Sequence, residues 1–319
     1  MLRPAAVAGT WYPASAGALA REVDNYVAAV DADTIPRGRL DAVIAPHAGL
    51  MFSGPVGACS YAAAASAGPY DAAILVGPSH FVAFDGVALY PSGAFDSPFG
   101  PATIDEGLGD ELRRAASIVR PLLSAHAREH SLEMQLPFLR RLLPDARIVP
   151  LLMGRQTLET IDALAAALAS VGAGRRVLLV ASTDLSHYFD ARTAETLDGR
   201  VRACVASLDP ARLLGIFEEY PEGERGRFVA CGGGPAIAVM KAAKARGARH
   251  GRVLRYMHSG QISGDNSGVV GYLAGALGTF SERATASEPR ERSGDQGAPA
   301  SERVGGAGGT KPPVKPDVY

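Results

Sequence analysis

The feature that most constrains this sequence is a series of short apolar runs separated by longer amphipathic stretches. Each run has the length of a buried strand and is bounded by Gly, Pro, Asp or Ser. Strands that alternate with helices predict an α/β fold, a single domain whose central parallel or mixed sheet is flanked by helices. The runs are AVIA (42–45), AILV (73–76), VALY (87–90), IVPLL (148–152) and VLLVA (177–181).

The stretches between these runs have the 3.6-residue period of amphipathic helices. The first begins at Ser15, a residue type that often caps a helix, and another ends before Pro144. The predicted helices are 15–30, 131–143, 158–170, 191–207 and 234–246.

The extent of the folded part follows from composition. Residues 1–280 contain neither an internal linker nor a repeat, which predicts one domain. Residues 281–319 are rich in Gly, Pro, Ser and charge. They have too little apolar surface to offset the entropy of ordering, so a disordered tail is predicted there.

The bulk properties exclude several classes of protein. The net charge is -1 and there is no basic stripe, which argues against nucleic acid or an anionic membrane as a partner. No apolar run approaches the roughly 20 residues of a membrane-spanning helix, and the N-terminus lacks the apolar core of a signal peptide. Three cysteines cannot all pair, so a reducing cytoplasm is the expected location.

Three histidines directly follow predicted strands. His47 follows AVIA, His80 follows AILV, and His187 follows VLLVA in the segment STDLSH, which also contains Asp184. Ligands of open α/β sheets bind at the carboxyl ends of the strands, where these loops meet. One such histidine would usually be structural, but three at equivalent positions predict a shared site.

Cys231 is a fourth candidate, in the segment FVACGGGPAIAVM. Its position between an apolar pair and a glycine run predicts a tight turn into a helix that begins near Pro235. A thiol at a helix N-terminus is expected to have a lowered pKa. The other two cysteines, Cys59 and Cys204, lie among alanines and are predicted to be buried in the core.

The segment EHSLEMQ supplies the last candidates, His130 and Glu133, which are three residues apart and would share one helix face. The alternative is a simple helix start, with Ser131 as the cap and Glu133 favoured by the helix dipole.

These residue types are suited to metal binding. Two histidines with a thiolate, or two or three histidines with a carboxylate, can hold zinc, iron or copper. Asp184 and Glu133 are candidates as ligands, as groups that orient the imidazoles, or as acid/base groups. HExxH, CxxC and Walker motifs are absent, as is a GxGxxG after a strand, which argues against zinc-protease and nucleotide-binding sites.

Seven segments, in order, resemble the Memo-like family, whose prokaryotic members are called AmmeMemoRadiSam system protein B. Together they span most of residues 1–280. They are RPAAVAGTWYP (3–13), APHAGLMFSGPVGACSYA (45–62), VGPSHF (76–81), EHSLEMQLPFL (129–139), STDLSHY (182–188), ACGGGPAIAVM (230–240) and SGVVGYLAGAL (267–277).

The resemblance implies a fold similar to the catalytic subunit of class III extradiol dioxygenases, which are non-haem iron enzymes. It also implies a metal site of two histidines and a cysteine, which fall on His47, His80 and Cys231. Fe(II) is the expected metal, with copper or zinc as alternatives. The motif residues expected to act in catalysis are His130, Glu133, Asp184 and His187.

The leading hypothesis is therefore a metal-dependent redox enzyme with a dioxygenase-like fold, acting on an unknown small molecule or peptide. The family name implies cooperation with an AMMECR1-like protein and a radical SAM enzyme. One alternative is a non-catalytic module that binds a peptide or small ligand in the same cleft. Another is a hydrolase in which Cys231 attacks, a histidine is the base, and amides of the glycine run bind an oxyanion.

Overall fold

The strands predicted from the apolar runs all form, and they lie in one large sheet. The computed structural model describes residues 1–281, and this part of the chain contains twelve strands. They are β1 (Leu2–Arg3), β2 (Gly38–Ala45), β3 (Ala72–Pro78), β4 (Val87–Leu89), β5 (Ala94–Phe95), β6 (Ala102–Thr103), β7 (Val119–Pro121), β8 (Arg147–Met153), β9 (Val177–Ser182), β10 (His187–Phe189), β11 (His250–His258) and β12 (Val269–Phe280).

Helices flank the sheet, and the described residues contain eleven α-helices and three short 3₁₀ helices. The 3₁₀ helices are Ala32–Thr34, Glu133–Gln135 and Glu222–Glu224. The α-helices are α1 (Ala16–Ala28), α2 (Leu50–Ala67), α3 (Glu106–Ala115), α4 (Leu123–His126), α5 (Leu136–Leu142), α6 (Leu158–Ser170), α7 (Ala191–Ala206), α8 (Pro210–Glu218), α9 (Arg225–Phe228), α10 (Gly233–Ala245) and α11 (Gly260–Ser263).

The order of the strands brings the histidine-bearing segments together. The nine-stranded sheet has the order β10-β12-β2-β9-β3-β8-β4-β7, with β11 also paired to β12, while β1, β5 and β6 form a small second sheet. The strands β2, β9, β3 and β8 run parallel, and β12 is antiparallel to β2. Ala45 of β2 pairs with Ser182 of β9. The carboxyl ends of β2, β9 and β3 are therefore neighbours.

The central strands are buried on both faces, which explains why they read as continuous apolar runs rather than alternating ones. Alternate residues of β2 point to opposite faces: Ile44 packs in one core and Val43 in the other. Helices α6, α7, α8 and α10 cover the face of Ile44, and α1, α2 and α5 cover the face of Val43. The sheet is therefore packed on both faces beneath the strand ends.

Four of the five predicted helices form close to their predicted bounds. The Ser15 hydroxyl accepts a hydrogen bond from the Ala18 amide and caps α1 as expected. The helix predicted from residue 131 begins later, as a 3₁₀ turn at Glu133 that continues into α5. Ser131 is not its cap, because the buried Ser131 hydroxyl donates to the Pro78 carbonyl instead (2.9 Å).

Strand β12 was not predicted, since its sequence VVGYLAGALGTF contains three glycines, which are usually depleted in strands. Here glycine permits close approach. A Cβ on Gly271 would lie 1.9 Å from the Asp198 carboxylate, and one on Gly278 would lie 2.1 Å from the Arg39 carbonyl.

Met1–Phe280 form one compact unit. The disorder predicted for 281–319 falls on residues outside the described part, apart from Ser281, and stays a prediction. None of the helices in residues 1–281 combines the length and the apolar character of a membrane-spanning segment.

Candidate metal centre

Three predicted ligands meet at the carboxyl edge of the sheet. His47 follows β2, His80 follows β3, and Cys231 lies just before α10. Each contributes one ligand atom, and these three atoms all lie within 4.8 Å of one another. The structure therefore brings together residues that are up to 184 positions apart in the sequence.

His47 is fully buried and has a contact on each ring nitrogen. Its Nδ1 lies 2.8 Å from the Ser182 hydroxyl, and its Nε2 lies 3.2 Å from the Cys231 sulfur. Burial lowers the pKa of His47 well below its ordinary value, and the nearby His80 and His130 lower it further. The ring is therefore a neutral imidazole, the form that binds metals.

His80 is oriented by a carboxylate. Its Nδ1 donates to Glu129 Oε1 (2.9 Å) and its backbone amide donates to Oε2 (2.6 Å). Burial acts to lower the pKa of His80, but hydrogen bonds to Cys231 and Glu129 outweigh it and raise the pKa to about 10. With Nδ1–H committed to Glu129, Nε2 is the nitrogen that would bind a metal ion, and metal binding there would release a proton.

Glu129 is a site residue that the sequence reasoning missed, although it directly precedes His130 in a motif that was singled out. It also accepts the amides of His130 and Ser131, both at 2.9 Å. Burial would raise the pKa of Glu129, but the hydrogen bond and charge of His80 lower it to about 2. Glu129 is thus a carboxylate held by donors on several sides.

His130 lies next to His80 at the edge of the site. Its ring stacks on His80 (centroids 4.7 Å apart, planes at 9°) and contacts Trp11 (4.4 Å). Burial, followed by the charge of His80, lowers the pKa of His130 to about 4. His80, Glu129 and His130 form a second group whose ligand atoms lie within 4.8 Å of one another.

Cys231 is partly buried, and its sulfur accepts the Asp184 amide (3.3 Å) beside His47. Helix α10 begins at Gly233, one residue before the predicted range of 234–246. The glycine amides expected to bind an oxyanion already have partners, which removes that support from the hydrolase hypothesis. These bonds are Gly232 N to Thr183 Oγ1 (2.9 Å), Gly233 N to Ala230 O (3.0 Å) and Gly234 N to Gln156 Oε1 (2.7 Å).

Asp184 contacts two of the predicted ligands, one through its backbone and one through its side chain. Its Oδ1 accepts the His47 amide (2.8 Å), while Oδ2 is buried without a hydrogen bond of normal geometry. Burial raises the pKa of Asp184 to about 7, against the lowering effect of the His47 amide and the His80 charge. A carboxyl group with this pKa can exchange a proton near neutral pH.

His187 begins β10, opposite Val270 of β12. It is nearly fully buried, and burial lowers its pKa to about 4. It is close enough to act electrostatically on His47 but belongs to neither ligand group. Its predicted catalytic role stays a prediction.

Glu133 is the predicted site residue that the structure does not bring to the cluster. Its carboxylate forms a buried ion pair with Arg3 and accepts the Tyr12 hydroxyl (2.8 Å). It also accepts the amides of Ala6 (2.7 Å) and Val7 (2.9 Å). The expected face shared with His130 does not form, since His130 precedes the first helical turn.

The arrangement fits a metal ion. Typical zinc–sulfur and zinc–nitrogen bonds place adjacent ligand atoms about 3.5 Å apart, close to the observed distance from His47 Nε2 to Cys231 Sγ of 3.2 Å. Two imidazole nitrogens and a thiolate suit zinc, copper and iron. Asp184, whose Oδ2 is buried without a hydrogen bond of normal geometry, contacts this set through the His47 amide but belongs to neither ligand group.

Comparison with known proteins identifies relatives of this chain. A MEMO1 family protein of Methanopyrus kandleri is 36% identical over 86% of this chain and 98% of its own length. One from Methanothermobacter thermautotrophicus is 35% identical over 85% of this chain and 99% of its own length.

Among solved structures, an uncharacterized protein from Escherichia coli K12 matches with a TM-score of 0.52 and 16% identity, covering 75% of this chain and all of that one. This likeness concerns the fold alone, and it agrees with the predicted α/β architecture of a central mixed sheet flanked by helices.

Residues 3–276 match the family model described as Memo-like protein. That match covers nearly all of the described residues, and the curated relatives align over almost their full lengths. The chain belongs to the Memo-like family.

Proposed function

We propose that this protein is a metal-dependent redox enzyme that holds a non-haem ion, Fe(II), with His47, His80 and Cys231. The observation that supports this most is the convergence of three ligand atoms within 4.8 Å. They sit at the strand ends where α/β folds bind ligands.

The residues around the ligands have distinct tasks in this proposal. Glu129 holds the Nδ1–H of His80 and fixes which nitrogen faces the site. Asp184, whose Oδ1 accepts the His47 amide, supplies a carboxyl group next to the ligands that would exchange a proton with the substrate. His130 stacks on His80 and is itself in contact with Trp11, so these rings support the position of His80.

A bound ferrous ion would supply Lewis acidity and one-electron chemistry to a substrate in this cleft. The ligand set differs from the two-histidine, one-carboxylate triad of many iron oxygenases, because its third member is a soft thiolate. Copper and zinc therefore remain alternatives that the experiment below distinguishes.

The proposal extends to setting and partners. All three cysteines of the chain are free, which suits the reducing cytoplasm. We infer cooperation with an AMMECR1-like protein and a radical SAM enzyme, and co-purification from the native host tests it.

Metal analysis of anaerobically purified protein tests the proposal directly. We expect about one Fe per chain in the wild type, with a spectroscopic signature of thiolate ligation, and loss of both in Cys231→Ala. Cys204→Ala is the matched control, because this fully buried thiol lies in the hydrophobic core and should keep the metal. A wild type that binds no Fe(II), or a Cys231→Ala variant with full occupancy, would contradict the proposal. Stoichiometric zinc in place of iron would contradict the redox assignment.

A further inference from the structure

We infer that Ser182 and Gln135 are positioning residues that fix His47 in the tautomer with hydrogen on Nδ1, so that Nε2 faces the metal. The inference extends the proposed function, since the tautomer matters most if His47 is a ligand. It is carried by a chain of buried hydrogen bonds in which each donor is determined by its neighbour.

The first link is the orientation of the Gln135 amide. Its Nε2 lies 3.1 Å from the Pro46 carbonyl, and its Oε1 accepts the Tyr61 hydroxyl at 2.9 Å. A carbonyl oxygen cannot donate, so the group facing Pro46 must be the NH₂ group. The amide of Gln135 therefore has one orientation.

The second link is the hydroxyl of Ser182, which has a single hydrogen. Its Oγ lies 2.7 Å from the Ser131 carbonyl and 2.9 Å from Gln135 Nε2. The carbonyl can only accept and the NH₂ group can only donate. Ser182 therefore gives its hydrogen to Ser131 and receives one from Gln135.

The third link follows for His47. Its Nδ1 lies 2.8 Å from Ser182 Oγ, whose hydrogen is already committed to Ser131. Only a hydrogen on Nδ1 makes this contact a hydrogen bond. The neutral ring then has its lone pair on Nε2, 3.2 Å from the Cys231 sulfur.

The residues of this series of hydrogen bonds are buried, which strengthens its control of the His47 tautomer. Tyr61, Gln135, Ser182 and His47 are each 0–1% exposed, so water does not compete for their hydrogen bonds. A buried donor left without an acceptor is strongly disfavoured, because it loses its hydrogen bond to water and gains none in return. The two imidazole ligands are thus fixed in different ways: His80 by the carboxylate of Glu129, and His47 by a neutral relay that adds no charge.

NMR of the metal-free protein with ¹⁵N-labelled histidines tests the relay, with His47→Gln used to assign the signals. We expect long-range proton–nitrogen correlations at neutral pH to show His47 with hydrogen on Nδ1 and a bare Nε2. In Ser182→Ala we expect the Nε2–H form to appear, and affinity for added Fe(II) to fall about 10- to 100-fold.

Ser60→Ala is the matched control. The Ser60 hydroxyl is equally buried but donates to the Ile44 carbonyl (2.6 Å), so its removal should leave the His47 tautomer unchanged. Gln135→Met should change the His47 tautomer less than Ser182→Ala does, because the Ser182 hydroxyl still donates its hydrogen to the Ser131 carbonyl.

A wild-type spectrum with hydrogen on Nε2, or on both nitrogens, would overturn the inference even if every variant failed to fold. So would a Ser182→Ala protein with an unchanged tautomer. The expected tautomer in a protein that binds no Fe(II) would support the relay and contradict the proposed function, so the two can fail separately.

Discussion

Two buried glutamates, four residues apart in one motif, serve opposite parts of the molecule. Glu129 faces the histidine cluster, defined as His47, His80, His130 and Cys231. Glu133 faces the N-terminal anchor, defined as Arg3, Ala6, Val7 and Tyr12. Both side chains are at most 2% exposed, so burial alone does not distinguish an orienting role from a structural one.

The difference lies in the partner. Glu133 is paired with arginine, whose positive charge is permanent, whereas Glu129 is paired with an imidazole whose charge depends on protonation or metal binding. The N-terminal anchor should therefore determine the free energy of unfolding, and the histidine cluster should determine the affinity for metal. The predictions below test this division.

The largest effect is expected from Glu133→Ala, which leaves the buried Arg3 without its counter-ion. Breaking a buried pair in this way costs about 3–5 kcal/mol of unfolding free energy. Urea denaturation of metal-free protein at neutral pH measures the loss. Glu195→Ala, at an exposed position of α7, is the control and should change stability by less than about 0.5 kcal/mol. Near-equal stabilities of the two variants would contradict the role of the anchor.

Glu129→Gln should act mainly on metal binding. The carboxylate of Glu129 accepts hydrogen bonds from the amide and the ring of His80. In the variant an NH₂ group, which cannot accept, faces one of these donors, so the His80 ring is held less firmly. We expect affinity for Fe(II) to fall about 10- to 100-fold, equivalent to about 1.4–2.7 kcal/mol, as measured by chelator competition. An unchanged dissociation constant would place Glu129 with Glu133 as a purely structural carboxylate.

Acid should weaken the anchor through His126, whose carbonyl accepts Arg3 Nε (2.8 Å). Burial lowers the pKa of His126 to about 3, whereas the unfolded chain takes up the proton near 6.5. Its contribution to stability is therefore fully present above 6.5 and declines as the pH falls toward 3, by about 1.4 kcal/mol per pH unit. The difference in unfolding free energy between wild type and His126→Phe should narrow over this range. Parallel stability curves would show that His126 does not titrate in this way.

The smallest effect is expected from Tyr12→Phe, which removes one of several hydrogen bonds to Glu133. The carboxylate keeps Arg3 and two amides, so we expect a loss of about 1 kcal/mol. Thermal unfolding measures it, and metal affinity is the internal control, which should not change. A loss as large as that of Glu133→Ala would mean that the hydroxyl, rather than the ion pair, holds the anchor.

The sequence predicted the parts of this molecule that depend on local pattern. The apolar runs identified β2, β3 and β9, and the residues directly after them identified His47 and His80. The partners that orient these rings were not predicted, because Ser182 and Glu129 contact histidines 135 and 49 residues away.

Glu133 was misplaced for a related reason. Its spacing from His130 suggested one shared helix face, but its true partners lie at residues 3 to 12, about 120 or more positions earlier. Spacing within a motif describes a helix only if the helix extends over the whole motif, and here it begins at Glu133.

The length of β2 has a practical consequence. Its last residue, Ala45, lies two positions before His47, while its first, Gly38, pairs with Phe280 at the opposite edge of the sheet. At about 3.3 Å per residue, the strand extends about 23 Å away from the predicted ligands, so its residues lie at regularly increasing distances from them. If a paramagnetic ion binds at His47, the broadened amide signals should sharpen one after another from Ala45 to Gly38, and Phe280 should behave like Gly38.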